Sequence, residues 1–406
     1  MKLSDIFIII FFLLHVISCD QSKRLEIKQV PIGVDFQKET LLRSGVKGDN
    51  WCITWSADGN QYTSMCDGMG WDTLHGFHRT RVFRIGGDSD NFKPAYLDGY
   101  PLAIDRTSWF GYGIVSVEGY LYNFLSQVPL DYWSGPFLGT KLIYSPDFGK
   151  RWFRHDGIEI TGKTLSKDPE TMFFWKEAGR KRVDTIGYAF SQVSFVQMGQ
   201  DNSRLIDDFV YMYSPDGAFS HHLNMARVHK DSIREKSAFW FFQKYNMDST
   251  EARWTKDINS RGIAYEFPEK NGNDWMGWYS WLPSVVWNEG LGYFIMVNGG
   301  TYAGRELKEE EYANNWMHTK TGSLGFYYAE KPWGPWNEFY YDPYWIVDNP
   351  NNRTYQPKLS PKWISKDGTD MILIWSDAMK NKEGRSHTVN YKWNQMSIRI
   401  LVSDMK

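Results

Sequence analysis

The chain repeats one phrase five times at wide spacing: an apolar run, a short polar turn carrying glycine, and a second apolar run. It appears as "NWCITW", "SADGN", "QYTSMC" over 50–66 and as "YGIVSV", "EG", "YLYNFLS" over 112–126. It returns over 189–214, 284–300 and 361–377. Apolar runs of this length, broken by Asp-Gly and Glu-Gly dipeptides, read as β-hairpins rather than helices. Successive phrases begin roughly 60 to 90 residues apart, which leaves room for four strands in each repeat. Radial repetition of four-stranded units predicts an all-β fold, a five-bladed β-propeller, and fits a β-sandwich less well. The polar, tryptophan-rich stretch 229–278 interrupts the series and is expected to be a helical or irregular insertion.

Two shorter motifs agree with that reading. Ser145, Asp147, Gly149 and Trp152 in "YSPDFGKRW" resemble the Asp-box of sialidase-type propellers, a turn-fixing motif with no catalytic role. "YYAEKPWGPW", 327–336, resembles the end-of-blade phrase of sugar-cleaving propellers.

Composition narrows the function classes. Aromatic residues make up 17% of the 406 positions and charged residues 23%, which excludes a disordered chain and supplies a large core. Rings with a flat apolar face and a polar edge also suit carbohydrate, although sheet packing accounts for most of them. Lys plus Arg number 46 against 48 Asp plus Glu, so the chain has no basic field to attract nucleic acid.

The N-terminus reads as an export signal. The apolar run "IFIIIFFLLHVIS", 6–18, is too short to span a bilayer but matches a signal-peptide core. It ends in Val16-Ile17-Ser18-Cys19, which resembles a bacterial lipobox. The expected organisation is a lipoprotein signal peptide at 1–18, an acylated Cys19 with a short tether to residue 40, and one propeller domain at 41–400. That places the protein in the bacterial cell envelope, extracytoplasmic, lipid-anchored to the outer membrane or cell surface, as a monomer touching membrane only through its anchor.

The first hairpin carries the candidate chemistry. Pairing it about its turn, with Ser56 facing Gln61, sets Asp49 opposite Asp67 to within one residue, so both emerge at one edge of the sheet. In a propeller that edge opens on the central funnel. Two carboxylates there sit roughly 5 to 10 Å apart, spanning the separations of retaining and inverting glycosidases. Asp before a strand and Asp-Gly after one are also ordinary turn chemistry. Trp51, Trp55 and Trp71 surround the pair with apolar surface that would drive the two pKa values apart. The same geometry nominates Trp71, His78, Arg79, Trp109, Tyr112, Trp281 and Gln356 as substrate-binding residues, with Asp377 as a reserve acid. Cys52 and Cys66 lie near one another across the hairpin and are either a disulfide or two buried thiols.

His221-His222 lacks a third ligand at metal-binding spacing, so no metal is expected. The sequence has no phosphate loop, nucleophile elbow or Cys-x-x-Cys, and no cofactor is expected.

Three stretches, "GDNWCITWSADGNQYTSMCDGMGW", "FHRTRVFRIGGDSDNF" and "YQPKLSPKWISKDG", together resemble the β-propeller family of domain of unknown function 4185 (DUF4185), which is related to endo-D-arabinanase glycoside hydrolases. The resemblance spans most of 40–400 and implies a glycoside hydrolase acting on a polysaccharide or oligosaccharide such as arabinan, with Asp49 and Asp67 at the family's paired carboxylate positions. The sequence departs from the pattern at Cys66, where the family has glycine before the second aspartate. The alternative is a glycan-binding propeller lipoprotein without catalysis.

Overall fold

A computed structural model describes residues 28–101, 109–128, 137–160, 168–176, 188–216, 219–247, 250–267, 270–271, 274–277, 282–299, 301–302, 323–343, 345–349, 354–377 and 390–404. Among them there is no α-helix, only three-residue 3-10 turns, and the chain is all-β with a propeller-like layout.

Five antiparallel runs follow one another. The first is Asp49–Trp55, Gln61–Cys66, Arg81–Gly86 and Lys93–Tyr96. The second is Trp109–Val117, Tyr120–Gln127, Gly139–Ser145 and Phe153–Arg154. The third holds Ser194–Gln197, Phe209–Asp216, Phe219–His229, Trp240–Tyr245 and Ala252–Thr255. The fourth is Ser284–Asn288, Tyr293–Asn298, Leu324–Ala329 and Asn337–Asp342. The fifth combines Thr354–Ile364, Asp370–Asp377 and Trp393–Asp404 with the N-terminal strand Gln29–Phe36.

The opening strand of each run packs against the opening strand of the next, and Thr354–Ile364 returns to Asp49–Trp55, so the five close into a ring. Between the third and fourth the approach becomes a short parallel ladder, Val196 opposite Val285. A hydrophobic core fills each gap between neighbouring sheets. Trp109, Trp152 and Leu125 sit between the first and second sheets, and Trp51, Trp393 and Phe83 close the ring between the fifth and first. Because both faces of each sheet are covered, the central strands read as near-continuous apolar runs, and each large side chain so buried contributes about 1.5–3 kcal/mol.

Polar side chains tie the central strands together where backbone pairing stops. Thr54 Oγ1 donates to Gln197 Oε1 at 2.7 Å and accepts from the Ser116 amide at 2.9 Å. Ser360 Oγ donates to Gln61 Oε1 at 2.7 Å. The turns follow their sequence signals. Glu118 and Gly119 both take positive φ in a two-residue hairpin. In the Asp-box, Ser145 Oγ accepts from the Gly149 amide at 2.7 Å and Asp147 Oδ1 from the Arg151 amide at 2.8 Å. The turn at Ser365 and Asp367 repeats this arrangement with different spacing.

Two expectations are corrected. Residues Gln29–Phe36, assigned to the tether, form the outer strand of the fifth sheet, pairing from Gln29 opposite Asp404 to Phe36 opposite Ile398. The described residues of 229–278 hold strands and three-residue 3-10 turns and no α-helix: Trp240–Tyr245 and Ala252–Thr255 extend the third sheet, because aromatics such as Phe242 and Trp254 pack onto the core it shares with the fourth. Cys19 and its signal segment lie outside the described residues.

Candidate active site

One end of the ring is built from distorted strand starts. The register of Asp49–Trp55 slips between Asp49 and Cys52, that of Trp109–Val117 between Gly111 and Ile114, and that of Thr354–Ile364 between Tyr355 and Lys358. Asn50, Gln356 and Leu282 hold left-handed backbone there, with φ of 65°, 56° and 53°, and Asp67 joins them at 50°. Bulges and left-handed non-glycine residues cost free energy and concentrate where side chains must be re-aimed.

The bulge at Asn50 sets Asp49 opposite Cys66, which leaves Asp67 as the next residue along the neighbouring strand. The hairpin is shifted by one from the simple pairing, with Trp55 rather than Ser56 facing Gln61. The two aspartates nevertheless meet at the same edge, and their charges interact.

Their surroundings differ. Asp49 is buried at 2% exposure, accepts from the Tyr391 hydroxyl at 2.5 Å through Oδ2 and from Asn50 Nδ2 at 3.1 Å through Oδ1. Burial, reinforced by the charge of Asp67, holds its carboxyl well above the usual carboxylate range. Asp67 has a side chain 17% exposed and faces Arg79 Nε at 3.9 Å. Burial raises its pKa to about 6, opposed by the charges of Arg79 and Lys47. Both carboxyls hold their protons more tightly than usual and Asp49 is the more deeply buried, the kind of asymmetry an acid–base pair requires.

Around the pair, Phe110, Tyr112, Phe137, Tyr355 and Tyr391 form an aromatic wall drawn from the second and fifth sheets and the segments beside them, joined by Cys66 and Leu282. Burial pushes the Tyr112, Tyr355 and Tyr391 hydroxyls upward, so they remain donors. Arg79 lies over the Phe110 ring at 4.8 Å. Within reach of the Asp49 charge, Lys358 is buried at 2% exposure and donates to the carbonyls of Leu282 at 3.0 Å, Gln356 at 3.3 Å and Pro357 at 3.3 Å.

Of the expected site residues, Asp49, Asp67, Arg79, Tyr112 and Gln356 come together here. Three do not. Trp109 is buried in the core between the first two sheets, with Lys141 Nζ 5.6 Å from its ring centroid. Trp71 packs on Trp51, Phe83 and Trp393 and donates to Ser44 Oγ at 2.8 Å. His78 is buried, its Nε2 3.0 Å from the His75 carbonyl oxygen, in a backbone bridge to Gly68. Trp109 opens its strand on the core side, and Trp71 lies in the turn after Cys66, folded onto the core between the fifth and first sheets. Trp281 lies outside the described residues. Asp377 is buried at the same end, accepting from Trp375 Nε1 at 3.3 Å.

Sequence reasoning missed Tyr391, Tyr355 and Lys358, which reach the site from the fifth sheet and the segment before its last strand. The only trace of them was the "YQPK" run at 355–358. Cys52 and Cys66 are both free, buried thiols. Cys52, opposite Ser64, packs in the core between the first two sheets, and Cys66, two residues along from Ser64, packs against the aromatic wall. No cluster of ligands able to hold a metal occurs among the described residues.

No family model matches the chain, the DUF4185 resemblance included, and no curated protein matches it. Solved structures do. A candidate hydrolase of Bacteroides ovatus is 12% identical, with 88% of this chain and 87% of that one covered and a TM-score of 0.48. The Podospora anserina α-L-arabinofuranosidase in complex with cellotriose is 10% identical, covering 92% and 96%, TM-score 0.43. A glycosyl hydrolase of Bacteroides ovatus is 10% identical, covering 93% and 92%, TM-score 0.44. At that distance the likeness carries nothing about chemistry.

Proposed function

We propose that this chain is a glycoside hydrolase of the bacterial cell envelope, a five-bladed propeller of the DUF4185 type that cleaves an arabinan-like polysaccharide with Asp49 as general acid and Asp67 as base or nucleophile. The observation that carries the reading is the pairing of two carboxyls across a bulged strand edge, in environments that raise both, with Asp49 the more deeply buried. Asp49 protonates the departing glycosidic oxygen, oriented by the Tyr391 hydroxyl. Asp67 either activates water or attacks the anomeric carbon, and the carboxyl separation in the substrate complex selects between them. Arg79 and the tyrosine wall supply hydrogen bonds and ring faces for sugar.

The five sheets and their closed ring support the blade count. The motifs at 48–71 and 355–368 support the family resemblance. The signal-like run ending at Cys19 supports lipid anchoring, with the polar segment before Gln29 as the tether. Mass spectrometry of the mature N-terminus tests the anchor: an acylated Cys19 is expected, and an unmodified start near it would remove the lipoprotein reading while leaving the hydrolase reading intact.

The near-complete burial of Asp49 favours a second reading, glycan binding without cleavage, in which Arg79, Asp67 and the tyrosines bind hydroxyls. Release of reducing ends from a polysaccharide panel separates the two. Cleavage lost on replacing either aspartate supports the first, and binding without cleavage in the wild type supports the second.

A further inference from the structure

The end of the ring opposite the aspartates holds a cavity of about 410 Å³, within the size range of small-molecule sites. It is lined by the ends of the central strands, with Trp55 closing the first and Trp287 near the end of the fourth, and by Gly199, Pro361, Lys362 and Ile364. Both indoles are half-buried, so each offers ring surface to the cavity rather than to the core alone. Trp287 is braced from behind by Phe294, ring centroids 4.9 Å apart. Of the charged groups around the cavity, Lys362, Lys366 and Glu289, the first and last have partners in the protein. Lys362 Nζ donates to the carbonyls of Gly59 at 2.7 Å and Gly87 at 3.2 Å, and Glu289 pairs with Arg204 at 2.8 Å. The Trp55 indole nitrogen is shielded and has no acceptor within the protein, although it is a donor that buried tryptophans normally satisfy.

We infer that this cavity is a second saccharide site, distinct from the carboxylate centre, that takes a sugar ring against Trp55 and Trp287. Two apolar ring faces match the C–H faces of a sugar, and Lys366, which lines the same cavity, can donate to its hydroxyl oxygens. Such a site would hold a long chain on one mouth of the ring while another stretch is engaged at the opposite mouth, through avidity rather than new contacts at the aspartates.

The site does not depend on the carboxylate chemistry, and the test uses that. Neutral arabino-, xylo-, cello- and manno-oligosaccharides are titrated into the purified protein carrying Asp49→Asn, with tryptophan fluorescence and calorimetry as readouts. At least one series is expected to quench fluorescence and bind as in the wild type. Trp287→Ala should weaken that binding about tenfold or more, and Trp287→Tyr should recover most of it. In ¹H–¹⁵N spectra the Trp55 indole resonance should shift on binding, which keeps the test valid if a Trp55 variant does not fold. Equal affinity in Trp287→Ala, an unmoved Trp55 resonance, or no saccharide bound would overturn the inference. Hydrolysis with no binding at this cavity would refute it alone. Binding here without hydrolysis would refute only the catalytic proposal.

Discussion

Asp67 is where pH acts on this protein. Its carboxyl is raised to about 6 in the fold, above the unfolded value near 3.9. The folded state therefore holds the proton more tightly than the unfolded chain. That contribution to stability is complete below about pH 4 and is lost as pH rises through about 6, so at pH 7 the ionised carboxylate is a liability of up to about 3 kcal/mol. Asp67→Asn should accordingly raise the midpoint of urea unfolding at pH 7 and change it little at pH 4. A lower midpoint at pH 7 would show that the Arg79 contact outweighs desolvation. Tyr391→Phe addresses the other partner. The hydroxyl it removes favours the charged form of Asp49, so its loss raises that carboxyl further and moves the alkaline limb of any pH–rate profile to higher pH, with stability changed by about 1 kcal/mol. An unmoved or lowered limb would detach Asp49 from the acid role. Both aspartates were legible in the sequence because an Asp-Gly turn fixes the hairpin and hence which ends share an edge. Tyr391 and Lys358 were not, since their approach depends on ring closure between residues more than 300 positions apart in the chain, and no local pattern encodes that.

At the scale of the element, the outer edge of the fifth sheet rests on the N-terminal strand. Gln29–Phe36 covers the outer edge of Trp393–Asp404, and Phe36 packs on Tyr340 at 5.1 Å and Trp345 at 5.3 Å between ring centroids. Without it the fifth sheet would present an open edge beside an apolar cluster. Phe36→Ala should cost about 2–4 kcal/mol and lower the melting temperature, whereas Gln29→Ala, at the exposed end of the same strand, should stay within about 0.5 kcal/mol. Equal effects would mean the strand adds no packing. The five hairpins were readable from alternating turn and apolar segments, and the Asp-box turn formed as its spacing implied. The N-terminal strand was not, because "QVPIGVDF" carries a proline and a glycine and reads as linker until a partner edge is present. The third sheet was obscured similarly: Trp240–Tyr245 is short, flanked by lysines and 3-10 turns, and becomes a strand through its contacts with Ala226 and Arg227.

For the whole molecule, the ring creates two mouths with different chemistry. One gathers bulged strand starts, two carboxyls and a wall of tyrosines; the other gathers strand ends and two half-buried indoles. Bulges on three central strands help explain why Trp109, expected at the rim, turns into the packing while Tyr112 and Gln356 reach the site. Period-two alternation cannot anticipate a bulge, so faces near a strand start were the least readable feature of the sequence. The central claim is that the paired carboxyls cleave glycosidic bonds. The direct measurement is release of reducing ends from a polysaccharide panel beginning with arabinan, by wild type, Asp49→Asn and Asp67→Asn, each first shown to be folded by its melting curve. Wild type should cleave at least one polysaccharide, and each variant should lose at least about a hundredfold in rate while melting no lower than wild type. Wild-type turnover in either variant, or no cleavage of any polysaccharide by the wild type, would contradict the claim.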